Sequence, residues 1–376
     1  MKPPLPHPEN APLIRALARG AHSRTALTEA TGLSRNTVGS RLDSLVEQGW
    51  VSARGDTRGT RGRPSAVYRF REDAALVFTA SFGWRSLAGA LTTLQGRPLA
   101  TASMDYDLRH GGIHDAVEAA DGFLTKLLPQ TGRTRADLAT AVVGVPSAAA
   151  NETVLAAWSG HASDLFSQRL TAPVLVENDA NLMALGYHAA LGRSPESMVF
   201  VRVSSGAGAG LIVAGQLHRG HRGLAGEISH MPVRRAADRR CPCGNTGCLG
   251  TVSSIDAVLT EVRQEGRDVE TFDQLATMAM RGDPVCVGTL RQLGRDIGEA
   301  LSNVTSTLAP PLIAVGGRLA LAGDHLITGV REALYAQVIP ALTAELRIER
   351  ADDHQECALR GAAELAFSHL FPPLNG

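Results

Sequence analysis

Apolar residues recur along this chain with two different periods, and the change of period divides it. Within residues 34–47, Val38, Leu42, Leu45 and Val46 recur at i, i+4, i+7 and i+8, the single stripe of an amphipathic helix. Ser34 stands where an N-cap belongs. A shorter helix is predicted over 12–19, and another over 25–31 that stops at Gly32. From about residue 75 the pattern shortens to strand-length apolar runs. Runs at 75–81, 87–94 and 98–104, joined by Gly83 and Gly96, repeat as runs at 198–203, 211–214 and 217–219, joined by the small-residue stretch 204–210 and Gly215. Helical patterns follow each set, at 113–128 and then at 253–264, 271–280 and 285–307. Wholly apolar runs at 141–145, 174–176 and 312–315 read as buried parallel strands ending at their loops. A plan used twice predicts a two-lobed α/β body with a ligand cleft between its halves.

Charge sets the front end apart. Eleven basic residues face five acidic ones up to residue 70, a net +6, and the whole chain sums to zero, so the remainder carries −6. A basic segment holding helix, glycine turn and helix is the signature of a helix-turn-helix facing a polyanion. Arg35, Asn36, Thr37, Ser40 and Arg41 lie off the apolar stripe of the second helix, and arginine and asparagine pair bidentately with guanine and adenine edges. Two strands, at 49–51 and 66–70, flank a tip that contains Arg61-Gly62-Arg63-Pro64. Such a wing would present Arg61 and Arg63 to a narrow minor groove. Double-stranded DNA is therefore the predicted partner.

Chemistry concentrates near the middle. Cys241, Cys243 and Cys248 fall within eight residues, and His230 lies just upstream. Three thiolates and one imidazole make a closed tetrahedral set that suits structural Zn2+ and leaves no position open for catalysis. Gly244 and Gly247 would let the loop curl back on the ion. A disulfide suits the odd number less well. Cys286 and Cys357 stand alone, as small buried hydrophobes would. No basic-then-apolar leader opens the chain, and the least charged long run, 300–317, is broken by polar residues and two prolines. No membrane association and a cytoplasmic location are expected.

Glu177-Asn178-Asp179-Ala180-Asn181, Gly226-Glu227-Ile228-Ser229-His230 and the cysteine cluster, in this order behind a Gly-Arg-Pro wing, resemble the ROK family of sugar kinases and repressors, on its repressor branch. The resemblance spans essentially the whole chain. It implies a winged helix-turn-helix domain over 1–72 and an actin-like, sugar-kinase (ribonuclease H-like) body over 73–376. One lobe of that body would take 73–190 with the C-terminal helix, the other 191–355. It also implies zinc on His230, Cys241, Cys243 and Cys248, and a homodimer or tetramer. Asp179 would match the kinases' general base, while Gly144, Pro146, Asn178, Glu227 and His230 match sugar-contacting positions. Taken alone, Glu177-Asn178-Asp179 reads equally well as a polar strand-to-helix cap.

The chain also departs from the kinase pattern. Ser81-Phe82-Gly83-Trp84-Arg85 stands where the kinases carry Asp-x-Gly-Gly-Thr, so the carboxylate that manages magnesium is missing. Gly250 replaces a sugar-binding glutamate, Ser147 a loop glycine, and Trp158 a ligand-reaching asparagine. Phosphoryl transfer is not expected. The body is read instead as an effector-sensing and oligomerisation module of a repressor of carbohydrate-related genes. Its effector is then a sugar or sugar derivative; a vestigial pocket and a sugar kinase with a DNA-binding arm are the alternatives.

Overall fold

The computed structural model describes residues 2–20, 22–55, 66–108, 112–146, 161–351 and 354–373. In the front end, helices α1 (Ala11–Ala18), α2 (Arg24–Thr31) and α3 (Arg35–Glu47) precede two wing strands. The Ser34 side chain accepts from the Thr37 N–H at 3.1 Å, and α2 ends on Gly32 at φ +68°, as the punctuation of the sequence predicts. Strands β2 (Val51–Gly55) and β3 (Ala66–Phe70) pair antiparallel, and β1 (His22–Ser23) joins the far side of β3.

The body holds two five-stranded sheets of one design. In the first, β4 (Leu76–Phe82), β5 (Ser86–Thr93) and β6 (Pro98–Asp105) form an antiparallel meander, and β7 (Leu138–Val145) and β8 (Val174–Asn178) add in parallel to β4. The second repeats this with β9 (Met198–Val203), β10 (Ala207–Val213) and β11 (Gln216–Leu217), then β12 (Leu312–Gly316) and β13 (Arg347–Arg350) in parallel to β9. The duplicated plan read from the apolar runs is therefore real. One detail differs: 204–210 is not all loop, because β10 begins at Ala207 and the turn is only Ser204–Gly206.

Helices cover these sheets: α4 (Ile113–Thr131), α5 (His161–Leu170), α6 (Asp179–Ala190), α7 (Ile255–Gln264), α8 (Phe272–Met280), α9 (Pro284–Leu308), α10 (His325–Gln337), a single turn α11 (Pro340–Thr343) and α12 (His354–Leu370). Helix α6 escaped the periodicity reading because it is buried nearly all round, with Ala180, Leu182, Met183, Ala184 and Gly186 all inside, so it shows no polar face. Among the described residues the core of the front end is continuous with that of the body. Leu42, Leu45, Trp50 and Phe70 share one apolar cluster with Val77 and Val142 of the first sheet and with Phe367 and Phe371 of the chain's end. Cys286 and Cys357 are both buried. Among the described residues no helix is long and apolar enough to cross a membrane.

Candidate functional site

Three groupings of polar residues stand out, the first of them on α3. Burying Val38, Leu42 and Leu45 turns the opposite face outward, leaving Arg35, Asn36 and Ser40 exposed at its N-terminal half. Thr37 is partly withdrawn, its hydroxyl 2.8 Å from that of Ser34. Arg41 is engaged within the protein: its Nη2 lies 2.8 Å from Glu9 Oε2 and its Nη1 reaches the Glu9 carbonyl. Arg24, unnoticed in the sequence, donates to Tyr68 Oη at 2.7 Å and pairs with Asp43 at 2.6 Å, tying α2 to both wing and α3. Arg61 and Arg63 lie outside the described residues.

The second grouping is the cysteine loop. Ligand atoms of His230, Cys241, Cys243 and Cys248 all lie within 4.8 Å of one another. Cys243 Sγ and Cys248 Sγ are 3.7 Å apart, and Cys241 Sγ is 3.7 Å from His230 Nδ1. A disulfide would need about 2.05 Å. Tetrahedral zinc with bonds of about 2.3 Å to sulfur and 2.0–2.1 Å to nitrogen requires edges of about 3.8 and 3.6 Å, so the donor set fits the ion. Gly244 at φ +93° and Gly247 at φ +92° make the turns that aim the sulfurs inward. The Asn245 N–H draws the Cys243 thiol down to about 7, whereas burial first, and then the neighbouring thiols, push Cys248 up to about 12. Turning all three sulfurs into thiolates would take a cation among them. Arg235 fixes the loop to the helices behind it, donating to Asp296 at 2.7 Å and to Glu261 at 2.6 Å.

The third grouping lies at the C-terminal ends of β7 and β8. Gly144, Pro146, Asn178 and Asp179 are buried and adjacent there, Gly144 paired in register with Glu177 and Val145 with Asn178. The missing Cβ of Gly144 leaves room for Leu182, whose Cδ1 would otherwise sit 2.9 Å away. Asn178 caps α6, its Oδ1 accepting from the N–H groups of Ala180 at 2.8 Å and Asn181 at 3.1 Å. Its side-chain oxygen therefore fills the capping role that the sequence allowed for this stretch.

Two arginines, Arg202 on β9 and Arg219 just beyond β11, meet the carboxylates at the end of β8 and the start of α6. Arg219 Nε donates to Glu177 Oε2 at 2.7 Å, and Arg202 Nε lies 3.1 Å from Asp179 Oδ2. Burial pushes the Asp179 carboxyl above the usual range, against the opposing pull of Arg202 and the Ala180 N–H. Neither arginine figured in the sequence reading. Arg202 had a signal, being the one charge inside the apolar run Met198–Val203 and in phase with buried Met198 and Phe200. Glu227 and His230 sit on a segment that Gly226 presses onto β10, where a Cβ would be 1.9 Å from the Ala209 carbonyl oxygen.

Of the surviving glycines of β10, Gly210 serves packing. A Cβ at Gly210 would lie 2.5 Å from the Ala184 Cβ and 2.6 Å from the Ala180 oxygen, so Gly210 lets α6 rest on the strand, whereas a Cβ at Gly208 would only touch the Ala180 Cβ at 3.6 Å. At the other glycine loop, Phe82 is buried against Tyr106 and Phe166, and Trp84 packs on the same core. A Cβ at Gly250 would meet the Ser229 oxygen at 3.2 Å, leaving little room for the glutamate the resemblance led one to expect. Ser147 and Trp158 lie outside the described residues.

Comparison with known proteins agrees with this architecture. The model of the ROK family matches residues 87–369. The xylose repressor of Bacillus spizizenii is 24% identical over 356 residues, covering 93% of this chain and 91% of that protein. The glucokinase of Halalkalibacterium halodurans is 27% identical over 290 residues, covering 71% of this chain and 88% of the enzyme. Among solved structures, a ROK family transcriptional regulator described as a homologue of the E. coli MLC protein superposes with a TM-score of 0.78 at 20% identity, covering 96% of this chain and 97% of its own.

Proposed function

The chain belongs to the ROK family, and from that premise we propose that it is a DNA-binding transcriptional repressor of sugar-related genes. The likeness to a xylose repressor runs through the front end as well as the body. The observation that carries the reading is α3: a capped helix that buries one stripe in a winged module and leaves Arg35, Asn36 and Ser40 outward at its N-terminal half. In this reading residues 1–72 are the DNA-binding domain and 73–376 the sensing and oligomerising body. Arg35 and Asn36 read base edges, Thr37 and Ser40 serve bases or phosphates, and Arg61 and Arg63 enter the minor groove. Arg41 joins them by exchanging Glu9 for a phosphate.

The body senses rather than catalyses. His230, Cys241, Cys243 and Cys248 hold a structural zinc, which supplies rigidity and no open coordination position. A sugar or sugar derivative enters beside Gly144, Pro146, Asn178, Asp179, Glu227 and His230, and shifts the population of DNA-competent dimers or tetramers. Retained Asp179 and the glucokinase likeness favour a kinase as the second reading. Against it, Asp179 is engaged with Arg202, and aromatic side chains pack the 81–85 turn.

The test is selection of duplexes from a random-sequence pool by the full-length protein at stated salt, followed by gel-shift titration. Recovery of a pseudo-palindromic site is expected, with Arg35→Ala or Asn36→Ala relaxing preference by about 1–3 kcal/mol at one base pair. Xylose is the first sugar to add, by analogy with the repressor relatives, and release of the duplex is the expected response. If no duplex is enriched while ADP accumulates with a sugar panel, and Asp179→Asn abolishes that release, the protein is a kinase.

A further inference from the structure

The body's polar groups and the winged module are joined by two helices in backbone contact. Helix α6 begins at Asp179, the partner of Arg202. Helix α12 crosses it so closely that a Cβ at Gly186 would lie 1.8 Å from the Cys357 oxygen, and one at Gly361 1.7 Å from the Leu182 oxygen. No side chain cushions either contact, so α6 and α12 move as one body. The end of α12 then turns aromatic. Phe371 meets Trp50 edge-on at 5.7 Å and Phe70 at 6.0 Å, while Phe367 meets Phe70 at 5.8 Å. Arg15 Nη1 donates to the Phe371 carbonyl at 3.0 Å, holding α1 to the same point. Trp50 lies three residues beyond the end of α3, and its backbone N–H donates to the Leu45 carbonyl at 2.9 Å. Leu182 of α6 lies in the same apolar cluster as Leu42 and Leu45.

We propose that α6 and α12 form a coupling rod that makes the Asp179–Arg202 pair and the DNA-reading helix thermodynamically linked. A close-packed interior does not deform continuously, so a displacement of the first turn of α6 is passed to Trp50 as a shift of the whole pair of helices. Whatever alters the Asp179–Arg202 contact then alters DNA affinity without touching DNA. The proposal rests on the DNA-binding reading, and its test separates the two.

The test is a double-mutant cycle on the full-length protein, with a duplex that the wild type selects from a random pool. Arg202→Met is expected to change the Kd at least threefold, within the range usual for coupled sites, while Arg202→Lys stays near wild type. In a Phe371→Leu background the same Arg202→Met change should move the Kd by less than threefold. A smaller effect of Arg202→Met alone, or an effect that persists undiminished beside Phe371→Leu, overturns the rod. Hydrogen exchange on DNA-free protein gives a second readout that needs neither duplex nor the Phe371 variant. Arg202→Met should change protection in 364–371, 51–55 and 66–70; changes confined to 177–182 and 200–204 overturn the proposal. Failure of the wild type to select any duplex defeats the DNA-binding reading instead, and leaves the exchange result to judge the mechanical link.

Discussion

The cysteine loop and the Asp179 end of the body are both polar clusters held against apolar cores, yet they are built in opposite ways. The loop takes all its donors from residues 230–248 and closes on itself through its own turns: the Cys241 N–H donates to the Asn245 carbonyl at 2.8 Å, and the Leu249 N–H to the Met231 carbonyl at 2.9 Å. The Asp179 end takes carboxylates from the end of one sheet and cations from a strand of the other and from the segment that leaves it. A local cluster of this kind would stay together as long as an ion was bound. A cross-sheet pair responds to any relative movement of the elements it joins, which suits it to sensing. The difference predicts what each will do when cut.

The largest effect belongs to the loop. Cys243→Ser removes one of the four proposed zinc ligands, and the remaining set could no longer close on the ion. Zinc measured on the purified variant should fall from one per chain to near zero, and the melting temperature should drop by roughly 10 °C or more. A variant that keeps stoichiometric zinc would show that the four side chains are not its ligands, and would reverse the contrast.

Next come the two ion pairs, which share a chemistry but differ in burial. Arg202 is 15% and Asp179 10% exposed, so Arg202→Met strands a buried carboxylate at a cost of about 3 kcal/mol. Adding Asp179→Asn should restore more than half of that loss, because the stranded charge is then gone. Arg219 is 45% exposed, and Glu177 keeps the Asn178 and Asn181 donors when it is removed, so Arg219→Ala should cost under about 1 kcal/mol. Denaturant unfolding of the four proteins checks the order. Equal losses for Arg202→Met and Arg219→Ala would mean that burial does not distinguish the pairs.

The same contrast explains which features are legible in the sequence alone. Strand runs at 198–203 and 312–315, the helix stop at Gly32, and the cysteine spacing are signals carried by near neighbours, and each appears where such signals put it. Both body sheets were legible because a meander followed by buried parallel strands leaves the same mark twice. Helix α6 was illegible because burial on nearly all sides erases its periodicity. Glu177-Asn178-Asp179 was visible as a polar stretch, but nothing nearby in sequence says that Asn178 spends its oxygen on the helix start or that Asp179 meets Arg202, 23 positions on. The shared core of winged module, first sheet and α12 was hidden for the same reason: Trp50 and Phe371 meet only in the fold.

The finest test of the contrast is pH. Asp179 has a folded-state pKa raised above its unfolded value, chiefly by burial, so the folded protein holds its proton more tightly than the unfolded chain does. Stability linked to this group is therefore fully present below the unfolded value of about 3.9, and is lost as pH rises through the raised folded value. Asp179→Asn combined with Arg202→Met abolishes that titration while leaving Glu177 and Arg219 in place. Melting temperatures of wild type and the double variant, compared from pH 4 to 7, should show the wild type losing ground steadily as pH rises and then levelling off. A wild type that instead gains on the variant toward neutrality would mean that Arg202 stabilises the Asp179 carboxylate by more than burial penalises it. The pair would then act as a fixed structural bridge, closer in character to the metal loop than to a sensor.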